Sequence, residues 1–320
     1  MSAPTNSTLA FHTAINGKDE VSFHTQLGAD ELDEDITDAR AKAMFQAALG
    51  SPLDVEIISR SSWTAGYTLV AEKFRQGRIF MAGDAVHLFT PTGGLGYNTA
   101  VEDAVNLGWK LAATVNGWGG PALLDSYEIE RQAIAKRNTS YARSFAQSIG
   151  GFIPPAELED DGPSGVAARK AASDYLNAHA RAEFNIPGVT FGGRYDGSPI
   201  IMPDGTTPPP DAANVYVPTA CPGGRAPHMW LPDGRSLFDL LGFEFTLLRL
   251  GPRPAAANLF VDAAAKLAIP LTIVDIASEE ARSLYGADLA LIRPDQIVAW
   301  RGNELADPVA ILRRATGHLM

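Results

Sequence analysis

The sequence predicts a mixed α/β protein with two domains, and three observations lead to this prediction. Short apolar runs separated by turn residues fill the first 90 positions, and two long stretches with helical periodicity follow at residues 99–115 and 121–147. From residue 212 onward, strand-like and helix-like segments alternate to the end of the chain. The 320 residues suffice for two domains with sizeable cores, which we place at residues 1–186 and 212–320, joined by a Gly- and Pro-rich linker at 187–211.

The first elements predicted are a hairpin and a helix. Residues 9–15 and 20–27 have strand composition, and Asn16-Gly17-Lys18 between them is typical of a hairpin turn. An acidic loop and helix start then lead into a short helix that Thr37 and Asp38 can cap and that ends at Leu49, with Gly50 as the stop.

A third strand is predicted at residues 55–58. Trp63 and Tyr67 follow it. We expect both aromatic side chains to pack in the core, with a pocket for an aromatic substrate as the alternative.

An apolar run at residues 79–82 lies between Gly77 and Gly83, which predicts a buried strand that ends abruptly. Asp84 stands directly after the strand. A carboxylate there can accept charge-assisted hydrogen bonds from the hydroxyl groups of a sugar-like chain.

Three glycines, Gly93, Gly94 and Gly96, stand directly before a helix predicted to begin near Asn98 or Thr99. Glycines allow close approach of the backbone to a ligand, and the free N–H groups of a helix start favour negative charge. A ring that gains negative charge on reduction, such as an isoalloxazine, would suit this place.

The helix after the loop carries a stripe of small residues that predicts close packing, most simply against a neighbouring sheet or helix: Ala100, Ala104, Gly108 and Ala112. Its polar residues are expected on solvated faces, and we assign them neither metal binding nor acid/base chemistry: Glu102, Asp103, Asn106 and Lys110. His87 is interpreted as a structural residue.

The order of these motifs, continued by residues 99–113 and 123–131, resembles the class A FAD-dependent aromatic hydroxylases, the flavoprotein monooxygenases related to phenol hydroxylase and para-hydroxybenzoate hydroxylase. The resemblance implies that Gly83 and Asp84 bind the ribityl and pyrophosphate side of FAD. It also implies a loop along the isoalloxazine, formed by Pro91, Gly93, Gly94, Leu95, Gly96, Tyr97 and Asn98. NAD(P)H would reduce the flavin and O2 would then hydroxylate a phenolic ring. No catalytic base is assigned.

The Gly-x-Gly-x-x-Gly motif that holds the ADP pyrophosphate in this family is absent from the sequence. The nearest match, at residues 117–122, follows a helix and is interpreted as an interhelical loop. The chain therefore looks like the C-terminal part of a longer hydroxylase. Two alternatives stay open: a non-catalytic remnant or interaction module, and one subunit of a split flavoenzyme completed by a separate ADP-binding polypeptide.

The last domain is predicted to be a thioredoxin-like layer. Its elements are strands at residues 243–250, 271–276, 289–293 and 296–300 and helices at residues 255–267, 279–285 and 308–316. A redox role is excluded because residues 251–254 hold Gly-Pro-Arg-Pro where Cys-x-x-Cys is needed, and Cys221 is the only cysteine. We expect a structural role or a dimer contact. The segments 150–168 and 187–227 are predicted to be loops and connections.

Global composition narrows the possible partners. The net charge of −11 disfavours nucleic acid and anionic membranes, and no apolar stretch is long enough to span a bilayer. One cysteine indicates a reducing compartment. We therefore expect a cytoplasmic enzyme that binds FAD, NAD(P)H and an aromatic substrate, as a homo-oligomer or together with an ADP-binding polypeptide.

Overall fold

The structure is a computed structural model that describes residues 10–25, 27, 31–32, 35–62, 67–251, 255–276, 278–303 and 307–319. Its contacts divide the chain into two compact units. The first unit comprises residues 1–65 with 154–158, and the second comprises residues 66–153 with 159–320.

The first unit contains the predicted hairpin and helix. Strands β1 (Ala10–Ala14) and β2 (Val21–Thr25) pair antiparallel around Gly17, whose φ is +70°. Helix α1 (Asp38–Leu49) begins where the Thr37 side chain accepts a hydrogen bond from the Arg40 N–H, and it ends at Gly50 in the left-handed conformation. These predictions are confirmed.

The strand predicted at residues 55–58 is wrong. The segment has no regular secondary structure, and the residues just before it are bound by side chains of α1 and not by a neighbouring strand. Lys42 Nζ on α1 donates to Asp54, and Gln46 Nε2 on α1 donates to the Leu53 carbonyl. Ile58 is left exposed.

The second unit begins with four two-residue strands that form two small antiparallel pairs. Strand β3 (Leu69–Val70) pairs with β6 (His87–Leu88), and β4 (Arg75–Gln76) pairs with β5 (Ile79–Phe80). The buried strand predicted at 79–82 is therefore wrong in length and environment. Its first residue, Ile79, is 71% exposed, because β5 is half of a tight surface hairpin.

Four helices follow: α2 (Leu95–Val115), α3 (Pro121–Gly150), α4 (Pro163–Phe184) and α5 (Pro187–Phe191). Residues 116–120 join α2 to α3, so the near-match glycine motif at 117–122 lies in this connection and in the first turn of α3, as interpreted. The loop predicted at 150–168 gives way to α4 at Pro163, because a proline suits the first turn of a helix. The linker boundary at 187–211 stays a prediction.

The final layer is a four-stranded sheet of order β10-β9-β7-β8. Strand β7 (Phe245–Arg249) runs parallel to β8 (Leu271–Asp275) and antiparallel to β9 (Leu289–Ile292), which pairs antiparallel with β10 (Val298–Gly302). The helices of this layer are α6 (Ala255–Lys266), α7 (Glu279–Tyr285) and α8 (Pro308–Ala315). This order of elements is the predicted thioredoxin-like layer.

The largest core cluster joins this layer to the helices before it. The rings of Trp109 on α2 and Trp118 in the α2–α3 loop lie 5.8 and 6.2 Å from the ring of Phe245 on β7. The sheet thus fixes the α2–α3 pair, which in turn positions the loops before α2. None of the described helices has the length and apolarity needed to cross a membrane.

Candidate flavin site

A one-turn 3-10 helix, Gly83–Ala85, packs against the first half of α2. Gly83 has a φ of +60°, and a Cβ atom placed on it would lie 3.1 Å from the Cβ of Ala100. The Gly83 N–H donates to Asp103 Oδ2 over 3.0 Å. A glycine is needed here for its backbone conformation and for this close contact.

Asp84 is the exposed residue of this turn. Among the described residues its carboxylate has no hydrogen-bond or ion-pair partner. The backbone beneath it is held by the buried contact at Gly83, so Asp84 is an open acceptor on a fixed support. Such an acceptor suits a hydroxylated ligand chain.

The glycine-rich loop forms a second 3-10 turn, Thr92–Gly94, directly before α2. The Gly93 N–H donates to Glu183 Oε1 over 2.8 Å, and Thr92 Oγ1 donates to the Ala142 carbonyl over 2.6 Å. Helices α3 and α4 thus hold the loop from behind. Gly94 has a φ of +63°, and a Cβ placed on it would meet no atom within 4 Å. The space beside Gly94 is open.

Helix α2 begins at Leu95, three to four residues before the predicted start. Leu95, Gly96 and Tyr97 therefore occupy its first turn, where backbone N–H groups lack intrahelical acceptors and the helix dipole favours negative charge. The Asn98 side chain donates to the Gly94 carbonyl over 2.7 Å. Tyr97 is 79% exposed. The sequence misplaced the start because glycines disfavour helix interiors but are tolerated in a first turn.

Asp103 ties the turn at Gly83 and strand β6 to the helix pair, and the prediction that it lies on a solvated face is wrong. Its side chain is fully buried. Besides the Gly83 N–H, it lies 2.7 Å from His87 Nε2 and accepts from Arg131 Nε over 2.7 Å. Burial alone would raise the pKa of Asp103, but the His87 hydrogen bond and the Arg131 charge hold it below its usual value. His87 is thus a buried structural residue, as predicted.

Arg131 on α3 extends this cluster. Its guanidinium donates to Tyr195 Oη over 3.0 Å, to the Thr99 carbonyl over 3.2 Å and to Glu102 over 3.0 Å. Burial alone would lower the pKa of Arg131, yet the surrounding negative groups raise it. Burial raises the pKa of Tyr195 to about 12. Of the four polar residues predicted to be solvated, only Glu102 is substantially exposed.

A second buried cluster centres on Glu130. Its carboxylate accepts from Lys110 Nζ over 2.7 Å, from Asn106 Nδ2 over 2.7 Å and from Arg293 over 2.7 and 2.9 Å. Arg293 also pairs with Asp295, in the connection between β9 and β10. The cluster therefore links α2 and α3 to the final sheet through charges that balance.

The pKa values of this cluster follow from burial and pairing. Burial alone would raise the pKa of Glu130, but Arg293 and Lys110 hold it far below its usual range. Burial also lowers the pKa of Lys110 to about 8, against the opposing attraction of Glu130. The sequence does not reveal this cluster, because the polar residues of α2 repeat with the same helical spacing as its small residues. The spacing of these residues predicts two faces of α2 but does not indicate which face is buried.

The small-residue stripe of α2 does not pack as predicted along its length. Ala100 contacts the turn at Gly83, but Ala104, Gly108 and Ala112 are exposed, and a Cβ on Gly108 would meet no atom within 4 Å. Tyr67 is also exposed, so its predicted core role is wrong. It lines an open pocket of about 490 Å³, which Thr90 also lines. Trp63 lies outside the described residues.

Comparison with known proteins identifies the class. Residues 6–142 match a family model described as an FAD binding domain, and residues 219–320 match one described as the C-terminal part of aromatic-ring hydroxylases. The chain belongs to the FAD-dependent aromatic hydroxylases. The predicted family and its cofactor, FAD, are confirmed at this level.

Individual relatives agree with this assignment. The chain is 34% identical over 291 residues to the FAD-dependent monooxygenase opdD of Penicillium oxalicum, covering 85% of this chain and 55% of that protein. It is 34% identical to a 4-methyl-5-nitrocatechol 5-monooxygenase of a Burkholderia species, covering 91% and 52%. The structure of the rebeccamycin biosynthetic enzyme RebC with reduced flavin matches with a TM-score of 0.84 at 34% identity, covering 96% and 56%. The chain thus spans about half the length of the relatives it matches.

Proposed function

We propose that this chain supplies the ribityl- and isoalloxazine-binding part of a monooxygenase that hydroxylates a phenolic or related aromatic ring with NAD(P)H and O2. One observation carries the proposal: an unpaired Asp84 on a fixed turn stands beside a glycine-rich helix start with open space at Gly94. Names of the relatives support this hypothesis over a non-catalytic remnant.

Two sets of residues suit two different parts of FAD, the ribityl chain and the isoalloxazine ring. Asp84 would accept hydrogen bonds from ribityl hydroxyl groups, with Gly83 allowing the approach. The loop of Pro91, Gly93 and Gly94 would lie along the isoalloxazine. Asn98 would hold the first turn of α2. Negative charge near the ring would be favoured by the backbone N–H groups of that turn, at Leu95, Gly96 and Tyr97. When bound, FAD accepts hydride from NAD(P)H and reacts with O2. This chain's own contribution is to orient the ring and exclude water from it.

For the aromatic substrate we propose the open pocket beside Tyr67. Thr90 lines this pocket and immediately precedes the glycine-rich loop, so a ring bound there would lie near the proposed flavin site. Its other lining residues include Leu69 and Arg143, which offer apolar contact and a cation for a phenolate.

A partner carrying the ADP-binding motif, or a second copy of this chain, is also part of the proposal. Helix α2 exposes an apolar face that includes Val101, Val105 and Leu111 beside the small-residue stripe. A face of this kind is suited to close packing by another polypeptide. The single cysteine supports a cytoplasmic location for the assembly.

Flavin retention tests the proposal. The purified chain is incubated with excess FAD, either alone or together with the nucleotide-binding portion of a homologous hydroxylase, which is the part of the relative that this chain does not cover. Bound flavin is then measured by visible absorbance after gel filtration. We expect retention in the complemented sample and its loss in Asp84→Ala. Asp174→Ala, an exposed change on α4, serves as the matched control. Equal retention by Asp84→Ala and the control contradicts the assignment of Asp84.

A further inference from the structure

A second pocket, of about 310 Å³, lies within the second unit between α3 and the chain around residues 188–225. None of its lining residues belongs to the proposed flavin site or to the pocket beside Tyr67. Much of its wall is apolar, formed by groups such as Ile134, Pro209, Val215 and Val217. Its volume lies at the lower end of the range for small-molecule sites.

The pocket carries one excess positive charge. Three arginines and two aspartates line it. Arg137 pairs with Asp211 over 2.6 Å, and Arg194 pairs with Asp196 over 2.8 Å. Both of these guanidinium groups also donate to backbone carbonyls, so their hydrogen-bonding capacity is largely used.

Arg225 is the arginine whose charge is not matched locally. Within the described part of the chain no carboxylate lies within 4.0 Å of it, and Glu102 acts on it only from farther away. Among the residues that the structure describes, its side chain makes one hydrogen bond, to Gln296 Oε1, which is long at 3.4 Å. A guanidinium has five N–H donors, so most of those on Arg225 are free for a ligand.

Aromatic rings lie beside Arg225. Its guanidinium carbon lies 4.3 Å from the centre of the Phe238 ring and 5.4 Å from that of Phe191. Both rings lie within cation–π distance of the guanidinium, whose N–H donors suit a carboxylate. Tyr216 lines the same pocket, with its ring 5.6 Å from Phe191, and burial raises the pKa of its hydroxyl, which remains a donor.

We propose that this pocket binds a small aromatic monocarboxylate, with the carboxylate on the N–H donors of Arg225 and the ring against Tyr216 and the apolar wall. One negative charge would neutralise the excess cation. A flat ring matches the aromatic lining better than an aliphatic chain does. The proposal does not depend on the flavin site.

Isothermal titration calorimetry of the full chain without FAD tests the proposal, with 1-naphthoate as the probe and the neutral 1-naphthylmethanol as its matched comparison. We expect saturable binding of one naphthoate per chain, at least about tenfold tighter than the alcohol. Arg225→Gln should weaken naphthoate binding about tenfold or more, because it removes the charge-assisted hydrogen bonds.

Three further variants make the result decisive. Val215→Trp keeps Arg225 but fills the pocket and should also abolish binding. Arg235→Gln, a change at an exposed arginine paired with Asp233, should leave binding unaltered. Thermal melts establish that each variant is folded. Absence of saturable binding, or binding that survives both Arg225→Gln and Val215→Trp, overturns the proposal. Binding lost in Arg143→Gln instead assigns the probe to the pocket beside Tyr67 and also overturns it.

Discussion

The two faces of helix α2 differ from those of an ordinary surface helix, because charged side chains share the buried face with Trp109 and the exposed face is largely apolar. The inner face buries Asp103, Asn106 and Lys110 in ion pairs and hydrogen bonds. The outer face exposes apolar residues, with Val105 at 50% and Val115 at 85%. Apolar periodicity in a helix therefore predicts a face that can pack, but it does not indicate which part of the protein, or which other polypeptide, packs against that face. In this helix, the described chain satisfies the polar face and leaves the apolar one open.

The largest effect is expected on the inner face, from Glu130→Gln. The change leaves Arg293 and Lys110 buried without their shared carboxylate, which costs about 3–5 kcal/mol in unfolding free energy. Urea unfolding followed by circular dichroism measures this. Asp174→Asn removes an exposed partner of Lys170 and should change stability little. Similar unfolding midpoints for the two variants would show that the Glu130 cluster does not hold the helix pair.

Asp103→Asn should lower the free energy of unfolding by about 3 kcal/mol at neutral pH, because the buried side chain that binds Arg131 and the Gly83 N–H loses its charge. The pKa of Asp103 is held below its ordinary 3.8, so the unfolded chain takes up a proton first as pH falls. Its stabilising contribution is complete above that ordinary value and declines as pH falls through the lower folded value. The stability gap between wild type and Asp103→Asn should therefore narrow below about pH 4 in a series of urea titrations. A gap that stays constant contradicts the assigned ion pair.

At the N-terminal end of α2, Gly94→Ala sharpens the comparison. Gly94 and Gly50 have φ values of +63° and +70°, and a Cβ on either would meet no atom within 4 Å. Each substitution by alanine should lower the free energy of unfolding by about 1–2 kcal/mol, because alanine disfavours the left-handed backbone conformation. Flavin retention in the complemented sample should fall only for Gly94→Ala, because only that methyl group enters the proposed cofactor space. Equal retention by both variants would remove Gly94 from the site.

The smallest effect is expected on the outer face, from Gly108→Ala. Alanine in an exposed helix interior should raise the unfolding free energy of the chain by about 0.5–1 kcal/mol. If another polypeptide packs closely on this face, the same change should weaken its association, measured by analytical ultracentrifugation. Stabilisation without any loss of association would show that the outer face is not covered at Gly108.

Local rules predicted the final layer closely. Helix α7 has the predicted bounds because Ser278 caps it through the Ala281 N–H and Gly286 ends it at a φ of +64°. Strand β10 begins two residues later than predicted. Gln296 adopts a φ of +64°, and a bulge separates Val298 from Trp300, neither of which local composition reveals.

The candidate site was predictable only as a set of backbone features. Gly83, Asp84 and the Pro91 loop follow from glycine spacing and from family resemblance. The clusters that hold them do not, because Asp103 on α2 meets Arg131 on α3, and Glu130 on α3 meets Arg293 beside the final sheet. Pairings of this kind depend on tertiary packing, which the sequence pattern of one helix does not encode.

The bond between Glu130 and Arg293 joins residues 163 positions apart in the chain. Synthesis proceeds from the N-terminus, so α2 and α3 leave the ribosome long before the residue that neutralises Glu130. Until then Glu130 has only its partners within the helix pair, such as Lys110, and burial of its carboxylate is less well compensated. The contact that Arg293 makes with Glu130 therefore forms only after synthesis has reached the final sheet, and the support of α2 and α3 by that sheet is a late event in folding.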